Sequence, residues 1–413
     1  MSKIEEILKY VSEHNEFYQN IIKEYGITDP TDIAQYPILT REQLQKNRYN
    51  MFSDGYKSKY YLQKLRRKSS SGSTGMPVNI YWDHIGYYHS MLPLWRYRKK
   101  YYGITPFSKK VSFSLVSFDK KNAGEILFSN DNNILDFNWS CAYNVKQLKQ
   151  IAEIIHQFQP EWIYAPPSIL QLFLQCCKSN KTPPINSLKY IESIGEMLSL
   201  HLKEELKDFF GVPVANMYGS EEHNCIAYEC PYGHMHILNE NVKVEVMKNG
   251  VISDNESGEA IITNLNNYTM PLIRYNQGDD INLMDQNYVC PCGNTANIIK
   301  IINGRQRDIV YEGEYIISPF FLNEVIAETQ NQYNDPIIHY FFKYYTHKKQ
   351  LEAWIEIDPC VIKWETQIKE NLKKNFYYKL NGVTNILFEV YVGNDLNSSH
   401  YLKGKHKIIH VED

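Results

Sequence analysis

Between about Leu62 and Met217, short apolar runs alternate with longer helical patterns, and this alternation limits the fold more than any other feature of the chain. Val111–Val116, Trp162–Ala165 and Tyr190–Ile194 read as strands, being short and rich in β-branched or aromatic residues. Val145–Phe158 and Leu198–Phe210 carry apolar residues at helical spacing. Strand and helix in turn predict α/β layers with at least one partly parallel sheet.

The flanking segments differ. Residues 1–25 read as one helix with Ile4, Ile7, Leu8 and Val11 on its apolar face. Thr40 followed by Gln43 is a capping-box pattern that starts a further helix. From His234 to Asp285 the chain turns β-rich, with Val242–Met247 and Glu259–Thr263 as alternating strands and Gly250 and Ser257-Gly258 as turns. Beyond Gly304 lies an α+β block, in which Leu351–Ile357 and Ile386–Val392 read as strands and Cys360–Lys374 as a helix. The 413 residues exceed one ordinary core. Two domains are therefore expected, 1–303 and 304–413, the first with a β subregion at about 225–295.

A net charge of -3 gives no electrostatic reason to expect nucleic acid or an anionic membrane as partner. The N-terminal 25 residues are charged throughout, and no stretch approaches the roughly 18 apolar residues a membrane span needs. A cytoplasmic location is the default, and the eight cysteines are then expected as metal ligands or buried thiols rather than disulfides.

The strongest local signal is Ser69-Ser70-Ser71-Gly72-Ser73-Thr74-Gly75-Met76-Pro77. Glycines let backbone N–H groups approach a phosphate closely, and the hydroxyls add donors. It is not a Walker loop, because no Gly-Lys-Ser/Thr follows. Three more motifs come later: Ser193-Ile194-Gly195-Glu196 between a strand and a helix, Met217-Tyr218-Gly219-Ser220-Glu221-Glu222, and Pro271-Leu272-Ile273-Arg274-Tyr275-Asn276-Gln277-Gly278-Asp279. Gly304-Arg305-Gln306-Arg307-Asp308 falls at the proposed boundary, and Lys403-Gly404-Lys405 near the end.

In this order, from Pro37 to Lys405, the motifs resemble those of the adenylate-forming superfamily, in particular the branch containing phenylacetate–CoA ligases and CapK-type proteins. The resemblance implies a large N-terminal multi-sheet α/β domain carrying ATP and acid, and a small mobile α+β C-terminal lid. It implies that Ser70, Ser71, Gly72, Ser73, Thr74 and Gly75 wrap the phosphates and that Gly195 and Glu196 line the adenine and acyl sites. Tyr218 and Gly219 lie at adenine, Glu222 holds Mg²⁺, and either Ser220 or Glu221 meets the α-phosphate. Asp279 accepts the two ribose hydroxyls, a pairing that suits a bidentate carboxylate. Arg274 supports the fold or the loop, and Arg305 reaches the ribose or phosphates. Arg307 and Asp308 form the hinge. Lys405 offsets charge as oxygen attacks phosphorus. Three positions depart from the family pattern: Met76 where Lys is common, Glu221 at the hydroxyl position, and Arg307 at the first hinge acid.

Cys230, His236, Cys290 and Cys292, with His234 or Cys225 as substitutes, offer the thiolate and imidazole donors of a closed structural zinc site. The expected function is an ATP- and Mg²⁺-dependent acid ligase that forms an acyl-adenylate. It then transfers the acyl group to a thiol, coenzyme A favoured, or to an amine. The acid is expected near Tyr164–Ser168 and Ser193–Gly195, with Trp139, Tyr143 and Trp162 nearby. The contrasting reading is a catalytically degenerate scaffold of the same fold.

Overall fold

The computed structural model describes residues 2–412 except 70–77, 115–127, 132, 139–144, 254–256, 286, 306–309, 313–314, 318–321, 323–324, 327, 330–332, 334–335, 358, 381–384 and 394–408. The chain divides into two compact units: Met1–Pro106 with Ala215–Ile302, and Phe107–Val214 with Asn303–Asp413.

In the first unit, residues 1–25 form two helices, Lys3–His14 and Glu16–Tyr25, rather than the single one expected. Asn15 causes the break. Its side chain caps the second helix at Tyr18 N, while its amide donates to Met51 O at 2.9 Å, and it is fully buried. The expected capping box is present, with Thr40 and Gln43 opening the helix Arg41–Lys46. The residue before it is pinned laterally. Leu39 donates to Arg274 O and accepts from Asn276 N, each at 3.0 Å. The strands Arg66–Ser69 and Asn79–Trp82 pair antiparallel, with Ser69 opposite Asn79.

The rest of this unit is built from strands that pair mainly antiparallel. Its order is Val251–Ser253, Val242–Lys248, Ser257–Asn264, Tyr275–Leu283, Ile298–Arg305, Met235–Ile237, Asn224–Glu229 and Val214–Ser220. Alternate residues such as Val242, Val244 and Val246 point into one apolar cluster with Ile262 and Ile281. Ser257 and Gly258 lie within a strand, not in the turn expected for them. A Cβ on Gly258 would come within 2.3 Å of Met247 O, so glycine here serves a close backbone approach. Arg274 is buried at positive φ, and its guanidinium grips both carboxylate oxygens of Glu245, at 3.0 and 3.2 Å, and Tyr36 O at 2.8 Å. It is a structural residue, as expected.

The second unit contains the expected parallel sheet. Ile134–Asn138, Lys110–Ser114, Trp162–Ala165 and Tyr190–Ile194 lie side by side and parallel, with Phe128–Asp131 antiparallel at the edge. The helices Val145–Phe158, Pro167–Ser179 and Leu200–Phe210 pack Ile151, Ile155, Phe173 and Leu206 into its core. A second sheet in this unit has the order Leu387–Val392, Gln350–Ile357, Ile337–Tyr345, Ile409–Glu412. Its core includes Phe342, Leu351, Phe376 and Phe388. The α-helix there spans Glu365–Lys379 and is preceded by a 3-10 segment, Pro359–Trp364, so it begins later than Cys360. The fold class is the expected one, α/β with a large multi-strand sheet and a smaller C-terminal sheet.

Candidate nucleotide site and metal centre

The motif from Met217 to Glu222 is the first arm and turn of a hairpin. Val214–Ser220 pairs with Asn224–Glu229, and the register slips between Tyr218 and Gly219. Gly219 is forced: a Cβ there would lie 2.2 Å from Asn224 O. The bulge turns Tyr218 towards the strand Tyr275–Leu283, and its hydroxyl donates to Asp279 Oδ2 at 2.6 Å. Gln277 donates to the same oxygen at 2.9 Å and accepts from Ser220 Oγ at 3.1 Å. Residues 61 apart in sequence thus form one polar network around a buried carboxylate.

The turn itself carries paired charges. Glu222 is buried, with Oε1 3.9 Å from Arg41 Nη1. Glu221 Oε2 lies 3.1 Å from Lys68 Nζ, and that ammonium also stands 5.9 Å from the Tyr87 ring centroid. His223 is fully buried beside them, and burial pushes its imidazole down to about 3, so it is neutral. Among the described residues, Arg41 and Lys68 thus face the two acids of this turn, and Arg66 lies 3.9 Å from the Tyr87 ring centroid.

In the second unit, Gly195 adopts φ +74° with nothing within 4 Å of where a Cβ would stand. Glu196 receives Ser168 N and Ser168 Oγ, both at 3.0 Å, at the start of the helix Pro167–Ser179. A carboxylate there also faces the positive end of the helix dipole. Burial, with Glu196 as a smaller contributor, raises the Tyr340 phenol well above its usual range.

The cysteine and histidine motifs converge as expected. Cys230, His236, Cys290 and Cys292 bring their donor atoms within 4.8 Å of one another. Zinc bonds of about 2.3 Å to sulfur and 2.0–2.1 Å to nitrogen in a tetrahedron put donors roughly 3.5–3.8 Å apart. Cys230 and Cys290 Sγ are 3.8 Å apart, and Cys292 Sγ is 3.3 Å from His236 Nε2. The other ring nitrogen, His236 Nδ1, lies 3.1 Å from Ala296 O, which aims Nε2 at the cluster. The donor set and spacing fit zinc. His234 stands outside the four, 3.5 Å from Cys290 Sγ and 3.1 Å from the Tyr288 hydroxyl. Cys225 points elsewhere, donating to Ser90 O.

Of the expected residues, Ser70–Gly75, Trp139, Tyr143, Arg307, Asp308, Lys403 and Lys405 lie outside the described residues, as does the side chain of Arg305. Three residues at the site had not been singled out: Arg41, Lys68 and Gln277. Gln277 lies within a quoted motif but was given no role, and the only sequence signal of Arg41 and Lys68 is proximity to a motif.

Together, these elements make an α/β chain with a buried carboxylate network on a glycine-bulged hairpin. The model of the AMP-binding enzyme family matches residues 70–264 of the chain. It is 26% identical over 341 residues to the protein CapK of Staphylococcus aureus, spanning 80% of this chain and 72% of that one. Its fold is similar to that of 2-hydroxyisobutyryl-CoA ligase in the postadenylation state in complex with 2-HIB-AMP, with a TM-score of 0.74 at 15% identity over 99% of this chain and 88% of that one. It is also similar to the anthranilate CoA ligase AuaEII in complex with anthranoyl-AMP, with a TM-score of 0.55 at 16% identity over 82% and 65% of the two chains. Among the described residues no helix is long and apolar enough to cross a membrane.

Proposed function

We propose that this protein is an AMP-forming acid ligase. It joins a carboxylic acid to the α-phosphate of ATP, releases pyrophosphate, and passes the acyl group to a thiol, coenzyme A favoured, or to an amine. The observation that carries this reading is the Tyr218–Gln277–Asp279 network, which sits one hairpin turn from Glu222. A buried carboxylate held by a phenol and an amide is oriented before any ribose arrives, so little ordering is left to pay on binding. The relatives support the same reading, since two are named as CoA ligases with acyl-AMP ligands.

In this reading Asp279 holds the ribose, Tyr218 and Gly219 lie at adenine, and Gly195 and Glu196 border the acyl end. The loop Ser70–Gly75 takes the phosphates and Arg305 the ribose or phosphates. Glu222 would hold Mg²⁺, which when bound supplies charge neutralisation at the phosphates. Lys405 offsets the charge that builds on phosphorus. The segment 304–413 then pivots at Arg307–Asp308 to admit the acceptor, a motion of the kind that often limits turnover. Cys230, His236, Cys290 and Cys292 would hold structural zinc, and the cytoplasm suits both the reduced thiols and the cosubstrates.

The decisive experiment is pyrophosphate release from Mg·ATP across aryl, fatty, hydroxy and amino acids, with Lys405→Ala beside the wild type. Acid-dependent release is expected, with a loss of about 10²–10³-fold in the variant, the scale of removing one oxyanion donor. Wild type that binds ATP but releases pyrophosphate with no acid supports the degenerate scaffold instead, a reading motivated by Met76, Glu221 and Arg307.

A further inference from the structure

The helix His84–Tyr102 is tied at several points to the strand Asn224–Glu229 and ends at the Cys/His cluster. Ser90 Oγ accepts from Asn224 Nδ2 at 2.7 Å, and Ser90 O accepts from Cys225 Sγ at 3.1 Å. Further along, the Tyr97 ring stacks on Tyr228 with centroids 6.3 Å apart, and on Tyr101 at 5.6 Å. The Tyr97 hydroxyl accepts from Asn294 Nδ2 at 2.8 Å. In the last turn, Tyr101 packs against Cys230, Cys290 and Ile298, with Cys292 in the same group. All of these residues belong to the first compact unit.

The Tyr101 hydroxyl is shielded from solvent and has no oxygen or nitrogen partner among the described residues. A buried hydroxyl left without a partner is costly, and such groups are rare in folded proteins. Its polar surroundings are sulfur: burial first, and then Cys292, raise the phenol well above its usual range, so it keeps its proton. A neutral thiol is a weak acceptor, whereas a thiolate is a strong one. A metal deprotonates the cysteines it holds. On the zinc reading above, on which this inference rests, Cys292 is the acceptor that this hydroxyl lacks. Cys292 already receives one donor, Asn294 N at 3.4 Å, and His236 has its own partner in Ala296 O.

We propose that Tyr101 is a positioning residue of the metal centre: its hydroxyl donates to the Cys292 thiolate and so fastens the last turn of the helix His84–Tyr102 to the cluster. Of the four metal-type residues, Cys292 is the one that is not fully buried. A donor at that sulfur orients it and disfavours its protonation, which is how a thiolate ligand is lost. Tyr101 itself makes no bond to the metal and brings no charge.

The test measures zinc affinity by competition with a chelator at fixed pH in wild type, Tyr101→Phe and Tyr88→Phe, with melting temperatures as a fold control. Phenylalanine keeps the ring and removes only the hydroxyl. Tyr101→Phe should bind zinc about 10–100-fold more weakly, as when a hydrogen-bond partner of a metal ligand is removed. Tyr88→Phe, exposed on the same helix, should bind as wild type does. In cobalt-loaded protein, the thiolate-to-metal charge-transfer band should move to longer wavelength in Tyr101→Phe, because a hydrogen bond lowers the energy of the sulfur lone pair. A loss of packing alone would not move it. A folded Tyr101→Phe whose zinc affinity is unchanged overturns the inference, and so does one whose band stays in place. Should Tyr101→Phe not fold, amide hydrogen exchange of the wild type decides. Zinc should slow exchange at residues 98–102 more than at residues 86–90, and equal or absent slowing overturns the fastening. Wild type that holds neither zinc nor cobalt overturns the zinc reading itself and this inference with it.

Discussion

Asp279 is held by Tyr218 and Gln277 before any ligand is present, and this preorganisation makes a sharp residue-scale prediction. Tyr218→Phe removes one charge-assisted hydrogen bond but leaves the ring, so nucleotide affinity should fall about tenfold with little change in melting temperature. Calorimetric titration with AMP checks it, and an unchanged affinity would remove the network from nucleotide binding. The two neighbouring thiols in the helix Pro167–Ser179 give a pH prediction. Burial pushes Cys177 up to about 12, above the ordinary thiol value. The unfolded chain loses this proton near pH 8.5–9 while the native state keeps it. Its contribution to stability is therefore complete below about pH 8.5 and lost as pH rises towards 12. Cys177→Ala should flatten the alkaline limb of the stability curve, measured by denaturant unfolding between about pH 7 and 11. Native Cys177 should also resist alkylation at pH 8, since the thiolate is the reactive form.

At the scale of elements, the hairpin Val214–Ser220 with Asn224–Glu229 is the part that makes the site. Gly219→Ala would drive a methyl into Asn224 O, so the hairpin must open. We expect lowered thermal stability together with loss of nucleotide binding, whereas Thr40→Ala, which removes a cap, should cost only about 1 kcal/mol. Reading both by thermal melting and AMP titration separates a local from a global effect. The helix break at Asn15 shows why elements are legible only in part. The apolar stripe of Ile4, Ile7, Leu8 and Val11 was visible, but the second role of Asn15, donating to Met51 O, depends on a segment 36 residues away. Ser257-Gly258 was taken for a turn on local chemistry, and the approach of Met247 O is what makes it strand.

At the scale of the molecule, the Cys/His cluster joins the turn after Cys230 to the Cys290–Gly293 turn, 60 residues on. One equivalent of zinc is expected in protein purified without chelator, and its removal should lower the melting temperature, because metal binding energy becomes folding energy. Less than about half an equivalent by elemental analysis would count against a structural zinc. The sequence by itself determined the alternation that becomes the parallel sheet, the capping box at Thr40, the four metal-type donors, and the motif order that pointed to the superfamily. These are local or periodic signals, written in spacing and residue type. Only the tertiary structure decided that His236 and not His234 joins the cluster, because a backbone carbonyl from Ala296 orients the ring. It also decided that Tyr218 reaches Asp279, and that Arg41 and Lys68 face the two glutamates. Lysine and arginine are common on every surface, so no spacing marks the few that matter. Which carboxylates the fold brings within a few ångströms of them is a property of packing between distant segments.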